Sequence, residues 1–522
     1  MGRPDATFDA LVLVSTFQVP EHDTTAAIAS IAQFGFVFGP RRTVTTTLVD
    51  TFDGRLHRAG LRLELRTSEG TELVLSGQDV VPAHLSVDAV PRVLTDLPPG
   101  PFRSRVASLI DVRALLPQVR VRMERSAGVW RDGTGKTVAI AELYENVHII
   151  NRPDIDRATT IEIHEVPGYA ERIRRARTVL RGVGLEQCGL DTLAQCAAAA
   201  DVDLAGFKAA ATVPLEPDMA ALDGIRAVLA NLEVAIAANW QGAIDQTDTK
   251  FLHDLRIALR RTRTVIAASK SVVPAEVLGP AREGFAWLAG ATGAARDLDV
   301  YLLEWKRYTD PLGVQAAVAL EPVRDVLARH HADAHLGLGH VLGSERAAAL
   351  IAEWRGWLAE PVSNESLPRR AGHPLGKVAA KRIARAHDAL IDQGRLIGPD
   401  TPADDVHDLR KDAKKLRYLI ECFSSMLPDK PRKKYVKQLK ALQENLGEHQ
   451  DAEVHIKLLS FLTPELDAAG ADTNLMVAVG QLIQRLGQTR VAARSEFAER
   501  FADYDSPATR RSFDSLIEAI AT

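Results

Sequence analysis

The chain has 522 residues, 46% hydrophobic and 25% charged, with a formal net charge of −4. That length exceeds one ordinary domain, so two or three folded units are expected, and the near-neutral balance excludes a protein that coats nucleic acid by bulk positive charge. Three cysteines without a C-x-x-C pair (Cys188, Cys196 and Cys422) argue against a disulfide framework or a zinc knuckle and fit a reducing compartment.

The N-terminus has no basic segment leading into an apolar core. The apolar stretch Leu11–Val14 is too short for a signal peptide or a membrane span. The expectation is a cytoplasmic protein without a membrane partner.

In chain order, the first 200 or so residues read as strands with interspersed helices. Every second side chain is apolar in Leu61-Arg62-Leu63-Glu64-Leu65-Arg66, and the alternation recurs in Val119–Glu124, Val138–Leu143 and Thr160–His164. Such period-two runs predict half-buried strands. Helical spacing appears in Ala26–Phe34 and Ala170–Val183. Residues 197–217 are Ala-rich and then carry Pro214 and Pro217, which predicts a linker. Beyond it, long Ala/Leu/Arg/Glu stretches between prolines predict an all-α domain over 218–522.

The helical half contains an internal repeat. His253-x-x-Arg256-x-x-x-Arg260-Arg261-x-Arg263 matches His407-x-x-Arg410-x-x-x-Lys414-Lys415-x-Arg417 at an offset of 154. The same offset carries Leu288 to Leu442, Gly293 to Gly447, Asp297 to Asp451 and Val300 to Val454 without a gap. Two copies of one helical unit are expected, at about 230–350 and 370–510, related by a pseudo-twofold axis. On a helical wheel His253, Arg256, Arg260 and Arg263 fall within an arc of roughly 80°, beside a stripe of Leu252, Leu255, Leu259 and Ile266. His407, Arg410, Lys414 and Arg417 repeat the arrangement.

Charge runs on helices are often solvated faces with acids one turn away. Here the only acids are Asp254 within 253–270, and Asp408 and Asp412 within 407–420. A line of cations without internal anions repels itself and is best neutralised by a bound polyanion. Asp297 and Asp451 could hold a metal; the favoured reading is that each buttresses a cation of the stripe and fixes its rotamer. His330, His331, His335 and His340 lack a cysteine or acid to complete a zinc set and read as surface or capping residues.

The motifs H-x-x-R-x-x-x-R-R-x-R, G-x-x-R-D-x-D (Gly293 to Asp299), the second basic run ending at Tyr418, and L-Q-x-x-L-G-x-H-x-D (Leu442 to Asp451) resemble the CHAD domain, over roughly 218–520. The resemblance implies two pseudo-twofold helical bundles around a basic groove, inorganic polyphosphate as ligand, and association with polyphosphate granules. The candidate ligand residues are then His253, Arg256, Arg260, Arg261, Arg263, Arg296, His407, Arg410, Lys411, Lys414, Lys415, Arg417 and Tyr418, with Lys377, Lys381 and Arg382 widening the track. Arginine forks suit phosphate oxygens, and lysine supplies mobile point charge. His253 and His407 are expected to donate to phosphate, so that affinity rises as pH falls through roughly 6–7.

In the first half, Thr47-x-x-Asp50-Thr51-x-Asp53-x-x-Leu56-x-x-Ala59-Gly60-Leu61-Arg62 resembles the CYTH family, the triphosphate tunnel enzymes. The resemblance covers about 8–196, gives a domain over 1–196, and implies an antiparallel eight-stranded barrel around a triphosphate tunnel. The family's E-x-E-x-K becomes Val12, Val14 and Thr16; its L-R-x-R ends in Glu64; its late E-x-E becomes Glu162-Ile163-His164. Metal-assisted phosphoryl transfer needs hard oxygen ligands that valine cannot supply. The expectation is an inactive barrel with a residual anion site at Arg62, Arg66, Arg122 and Arg125, and no catalytic or metal residues. The alternative is a triphosphatase using Mg²⁺ or Mn²⁺ through other acids. A nucleic-acid binder is disfavoured because the stripe lacks aromatic platforms for bases.

Overall fold

The computed structural model describes residues 12–19, 24–33, 35–77, 80–150, 152, 156–166, 168–182, 184–207, 212–360, 367–468 and 470–521. The chain divides into two compact units, Met1–Lys208 and Ala209–Thr522. The segment read as a linker is shared out: Ala197, Val202 and Leu204 pack in the first unit, and Leu215 donates its N–H to Ser425 Oγ at 3.1 Å in the second.

The first unit is an antiparallel sheet. Its strands are β1 (Val12–Gln18), β2 (Phe36–Phe38), β3 (Arg42–Thr51), β4 (Leu61–Thr67), β5 (Thr71–Gly77), β6 (Val80–Ser86), β7 (Leu115–Arg131), β8 (Thr137–Ile149), β9 (Asp156–Arg157), β10 (Thr160–Glu165) and β11 (Glu186–Cys188). Among the described residues the pairing runs β11-β1-β10-β8-β7-β3-β4-β5-β6, with β2 on β7 and β9 on β8. Each alternating run of the sequence lies in a strand: β4, β7, β8 and β10. Leu63 and Leu65 of β4 pack with Leu73, Leu75, Phe102, Val106 and Ile110, so period-two patterning sends Arg62, Glu64 and Arg66 to the opposite face.

The turn between β3 and β4 explains the motif around it. Asp50 accepts from the backbone N–H of Leu56 at 2.9 Å and of His57 at 2.8 Å. Gly54 is left-handed, at φ 62°, and a Cβ there would lie 2.5 Å from the Ala205 backbone, so only glycine fits.

The second unit is helical. The first basic helix, Thr249–Ala268, begins where Asp248 accepts from the N–H of Lys250 and Phe251. The second, Ala403–Cys422, carries Asp404 and Asp405 in its first turn, where the helix dipole favours acids. Both bury the same face: Leu252, Leu255, Leu259, Val265 and Ile266 in one, and their counterparts Val406, Leu409, Ala413, Leu419 and Ile420 in the other.

The contacts between the two copies fit a pseudo-twofold relation. Tyr301 and His455 are counterparts 154 residues apart, and their rings stack with centroids 4.0 Å apart and planes 14° off parallel. Equivalent residues that touch each other must straddle the symmetry axis. Around them, Leu298 and Trp305 of one copy share a core with Leu459, Leu462 and Leu482 of the other. No helix among the described residues is long and apolar enough to cross a membrane.

Candidate anion-binding site

The two basic helices are tied together. Arg261 Nη2 donates to Glu421 Oε2 at 2.6 Å, and Arg417 Nε lies 3.5 Å from the same carboxylate. Tyr418 is buried, with the guanidinium of Arg417 at 5.6 Å and that of Arg261 at 5.9 Å from its ring. Glu421 escaped the sequence reading because it lies one residue past the acid-poor window and its closer partner, Arg261, comes from the other copy.

Each copy then seats an arginine over a glycine. Arg256 Nη1 donates to Thr292 Oγ1 at 3.0 Å and to the Ala289 carbonyl at 3.3 Å. Arg410 Nη2 donates to Asp451 Oδ1 at 3.2 Å. A Cβ on Gly293 would stand 3.7 Å from Arg256 Nη1, and one on Gly447 would stand 3.6 Å from Arg410 Nη2. The guanidinium groups thus lie against the glycine positions of the neighbouring helix, where a Cβ would make an ordinary contact.

The cations of both copies share one field. Lys414 is pushed down to about 7 by burial and by the charges of Arg410, Arg260 and Arg417, against the opposing pull of Asp451. Arg256 is lowered by burial and by Arg260 and Arg296, with Asp297 opposing. Both aspartates of the repeat therefore stand among these cations, and Asp451 makes a direct ion pair with one. Among the described residues Arg260, Arg263 and Lys414 make no ion pair with a carboxylate within 4.0 Å. Of these, Arg263 is exposed, and Arg260 and Lys414 are half-buried.

The remaining sequence candidates are placed differently. His253 is half-buried, and His407 Nδ1 meets Gln450 Oε1 at 2.8 Å. Lys411 and Lys415 are exposed and pair with Asp408 and Asp412 on their own helix. Arg296 lies 3.8 Å from Asp299. Lys377 and Lys381 are exposed on the helix Leu375–Gly394. Arg382 on that helix donates to the Lys270 carbonyl at 2.5 Å and feels Arg385 and Arg370 rather than the stripe.

In the first unit the arginines read as an anion site meet acids instead. Arg62 bonds Asp191 and lies 3.8 Å from Glu64. Arg66 Nε donates to Glu64 Oε2 at 2.8 Å, and Arg125 bonds Glu142. Tyr144 also donates to Glu142, and His164 Nε2 lies 3.4 Å from it. Burial would raise the Glu142 carboxyl, but Arg125 and His164 hold it well below its ordinary value. Glu162 accepts the Thr192 N–H at 2.7 Å and is raised by burial and by Asp191. Arg122 is exposed on β7 and apart from this cluster. Thr16 is buried; the side chains of Val12 and Val14 lie outside the described residues. The bond from Arg62 on β4 to Asp191 just past β11 shows that the sheet curls its polar faces inward.

Two histidines correct the sequence reading. His335 is buried, and His331 and His335 both place Nε2 on Asp299 Oδ1, at 2.8 and 2.9 Å. They are not surface or capping residues without an acid. The acid comes from the helix Gly293–Leu303, and they from Glu321–Leu342, so only tertiary packing joins them.

Residues 227–460 match the family model of the CHAD domain. No curated protein matches the chain. Among solved structures it is similar to the CHAD domain from the plant Ricinus communis, at 24% identity and TM-score 0.47, over 56% of this chain and 95% of that one. It is also similar to PptA from Streptomyces chartreusis, at 18% identity and TM-score 0.42, over 54% and 99%. A further likeness is to a putative adenylyl cyclase from Hippeastrum, described as having a dominant triphosphatase activity, at 14% identity and TM-score 0.27, over 35% and 94%.

Proposed function

We propose that this chain, whose helical unit carries a CHAD domain, holds inorganic polyphosphate across the pseudo-twofold axis of that unit, and that its first unit carries out no phosphoryl chemistry. The observation that carries this reading is the shared field of Arg256, Arg260, Arg410, Lys414 and Arg417, drawn from both copies. Crowded cations depress one another, and a polyanion relieves that repulsion. Arg256 and Arg410 are held by side-chain and backbone oxygens, so their forks are ordered before ligand arrives, which lowers the entropy cost of binding. Arg260, Arg263 and Lys414 supply the charge that remains unpaired. Granule association in the cell follows from a protein that grips the polymer without cutting it.

A metal-dependent triphosphatase is the competing reading, because Glu142, Glu162 and His164 offer ligand atoms within 4.8 Å of one another. The two carboxylates are engaged, Glu142 by Arg125 and Tyr144 and Glu162 by Thr192; His164 Nε2 is buried 3.4 Å from Glu142 without a hydrogen bond among the described residues. Arg62, Arg66 and Arg125, which would have to bind the phosphates, are neutralised by Glu64, Glu142 and Asp191. The internal pairing favours a structural interior over a substrate tunnel.

The test is titration of the full-length protein with long-chain polyphosphate, with tripolyphosphate plus Mg²⁺ or Mn²⁺ assayed in parallel for phosphate release. Salt-sensitive binding without release is expected. Absence of binding overturns the first half of the proposal, and turnover overturns the second.

A further inference from the structure

The helical unit departs from its own symmetry at one buried carboxylate. Asp299 and Glu453 are counterparts under the offset of 154. Glu453 is neutralised by two permanent cations, Arg490 at 2.6 Å and Lys457 at 3.3 Å. Asp299, only 1% exposed, has two imidazoles instead, both with Nε2 on the same oxygen. Its second oxygen, Oδ2, is buried without a hydrogen-bond partner among the described residues, and the nearest cation to it is Arg296 at 3.8 Å.

We propose that Asp299, His331 and His335 form a binding site for a divalent transition-metal ion of the Zn²⁺ class. His331 and His335 are one turn apart on a helix and present their rings to the same side, with ring centroids 4.3 Å apart. One carboxylate and two imidazoles are the mixed oxygen and nitrogen set that Zn²⁺ takes, at roughly 2.0–2.1 Å from each donor. Tetrahedral donors at that radius stand about 3.3 Å apart. The present separations of 2.8 and 2.9 Å need to open by only a few tenths of an ångström. The ligand atoms of all three residues already lie within 4.8 Å of one another. In the bound state each imidazole offers its Nε2 lone pair and keeps one proton, on Nδ1, any further proton passing to solvent, and the charge of the ion neutralises the buried carboxylate. Water completes the coordination past half-buried His331.

The site is tested without polyphosphate, so its outcome is separate from that of the binding groove. Apo full-length protein is titrated with Co²⁺, read by visible d–d absorption, and then with Zn²⁺ in competition. One ion per chain is expected, with Zn²⁺ displacing Co²⁺. His331→Ala removes a half-buried ligand, and Asp299→Asn keeps the shape of the buried one. Each should weaken Co²⁺ binding by more than tenfold, while His330→Ala, whose ring sits on Glu465, leaves it unchanged. Absence of stoichiometric binding, or binding that survives both ligand substitutions, overturns the proposal.

Discussion

Arg260 and Lys414 are the same position in the two helical copies, and the charge of the first depresses the ammonium of the second across the pseudo-twofold axis. A pair of counterpart cations that repel each other is costly in the free protein, and an anion that spanned both copies would relieve that cost. Replacing both, Arg260→Gln with Lys414→Gln, should weaken long-chain polyphosphate binding by more than about tenfold, or about 1.4 kcal/mol. The slope of affinity against salt should also become shallower. Unchanged affinity by calorimetry would place the polymer elsewhere.

The same pair predicts a pH dependence. Lys414 is held down to about 7 in the free protein; phosphate favours its charged form, so the bound value is higher. Below about 7 the ammonium is present in both states and affinity is at its maximum. Above it, binding takes up a proton, and affinity falls by at most about tenfold per pH unit. Lys414→Arg, which stays charged, should remove this component. Calorimetry in buffers of different ionisation enthalpy reads the proton uptake directly.

Gly447 offers a steric test. An alanine Cβ at 3.6 Å from Arg410 Nη2 is an ordinary contact, and alanine in a helix is favoured over glycine by about 0.8–1 kcal/mol. Gly447→Ala should therefore leave affinity nearly intact and not lower the Tm. Gly447→Leu projects into the space of the guanidinium and should lift Arg410 off Asp451, weakening polyphosphate binding several-fold. Equal binding by the two variants would show that the seat of Arg410 is unimportant.

In the first unit, Arg125→Met leaves Glu142 buried without its main cation. Breaking one side of such a pair costs about 3–5 kcal/mol. The variant should lose stability in the first unit by thermal or denaturant unfolding, while polyphosphate binding by the second unit persists. If Arg125 instead served an anion site, the substitution would change ligand binding with little loss of stability.

Several features were legible in the sequence because they depend on local periodicity. The alternation in 61–66 fixes which side chains of β4 face each way, and the offset of 154 aligns two helices with the same buried face. The cations of both stripes could be named for the same reason: residues three and four apart share a helix face.

What the sequence did not disclose were partners brought from other elements. Glu421 joins Arg261 and Arg417, Gln450 orients His407, and Asp191 neutralises Arg62. Apart from Arg417 and Glu421, which are one turn apart on one helix, none of these pairings has a sequence period, because each is made by packing between helices or by curvature of the sheet. That is also why four arginines in strands read as an anion site while three of them are spent on buried acids.

The sequence by itself determined the two textures of the chain, the repeat and the identity of its basic faces, since hydrophobic spacing sets those locally. Only the tertiary structure decided that the two faces share one electrostatic field, that Tyr301 meets His455 on the axis, and that His331 and His335 close on Asp299. Those relations rest on distances between segments far apart in the chain, which packing alone sets.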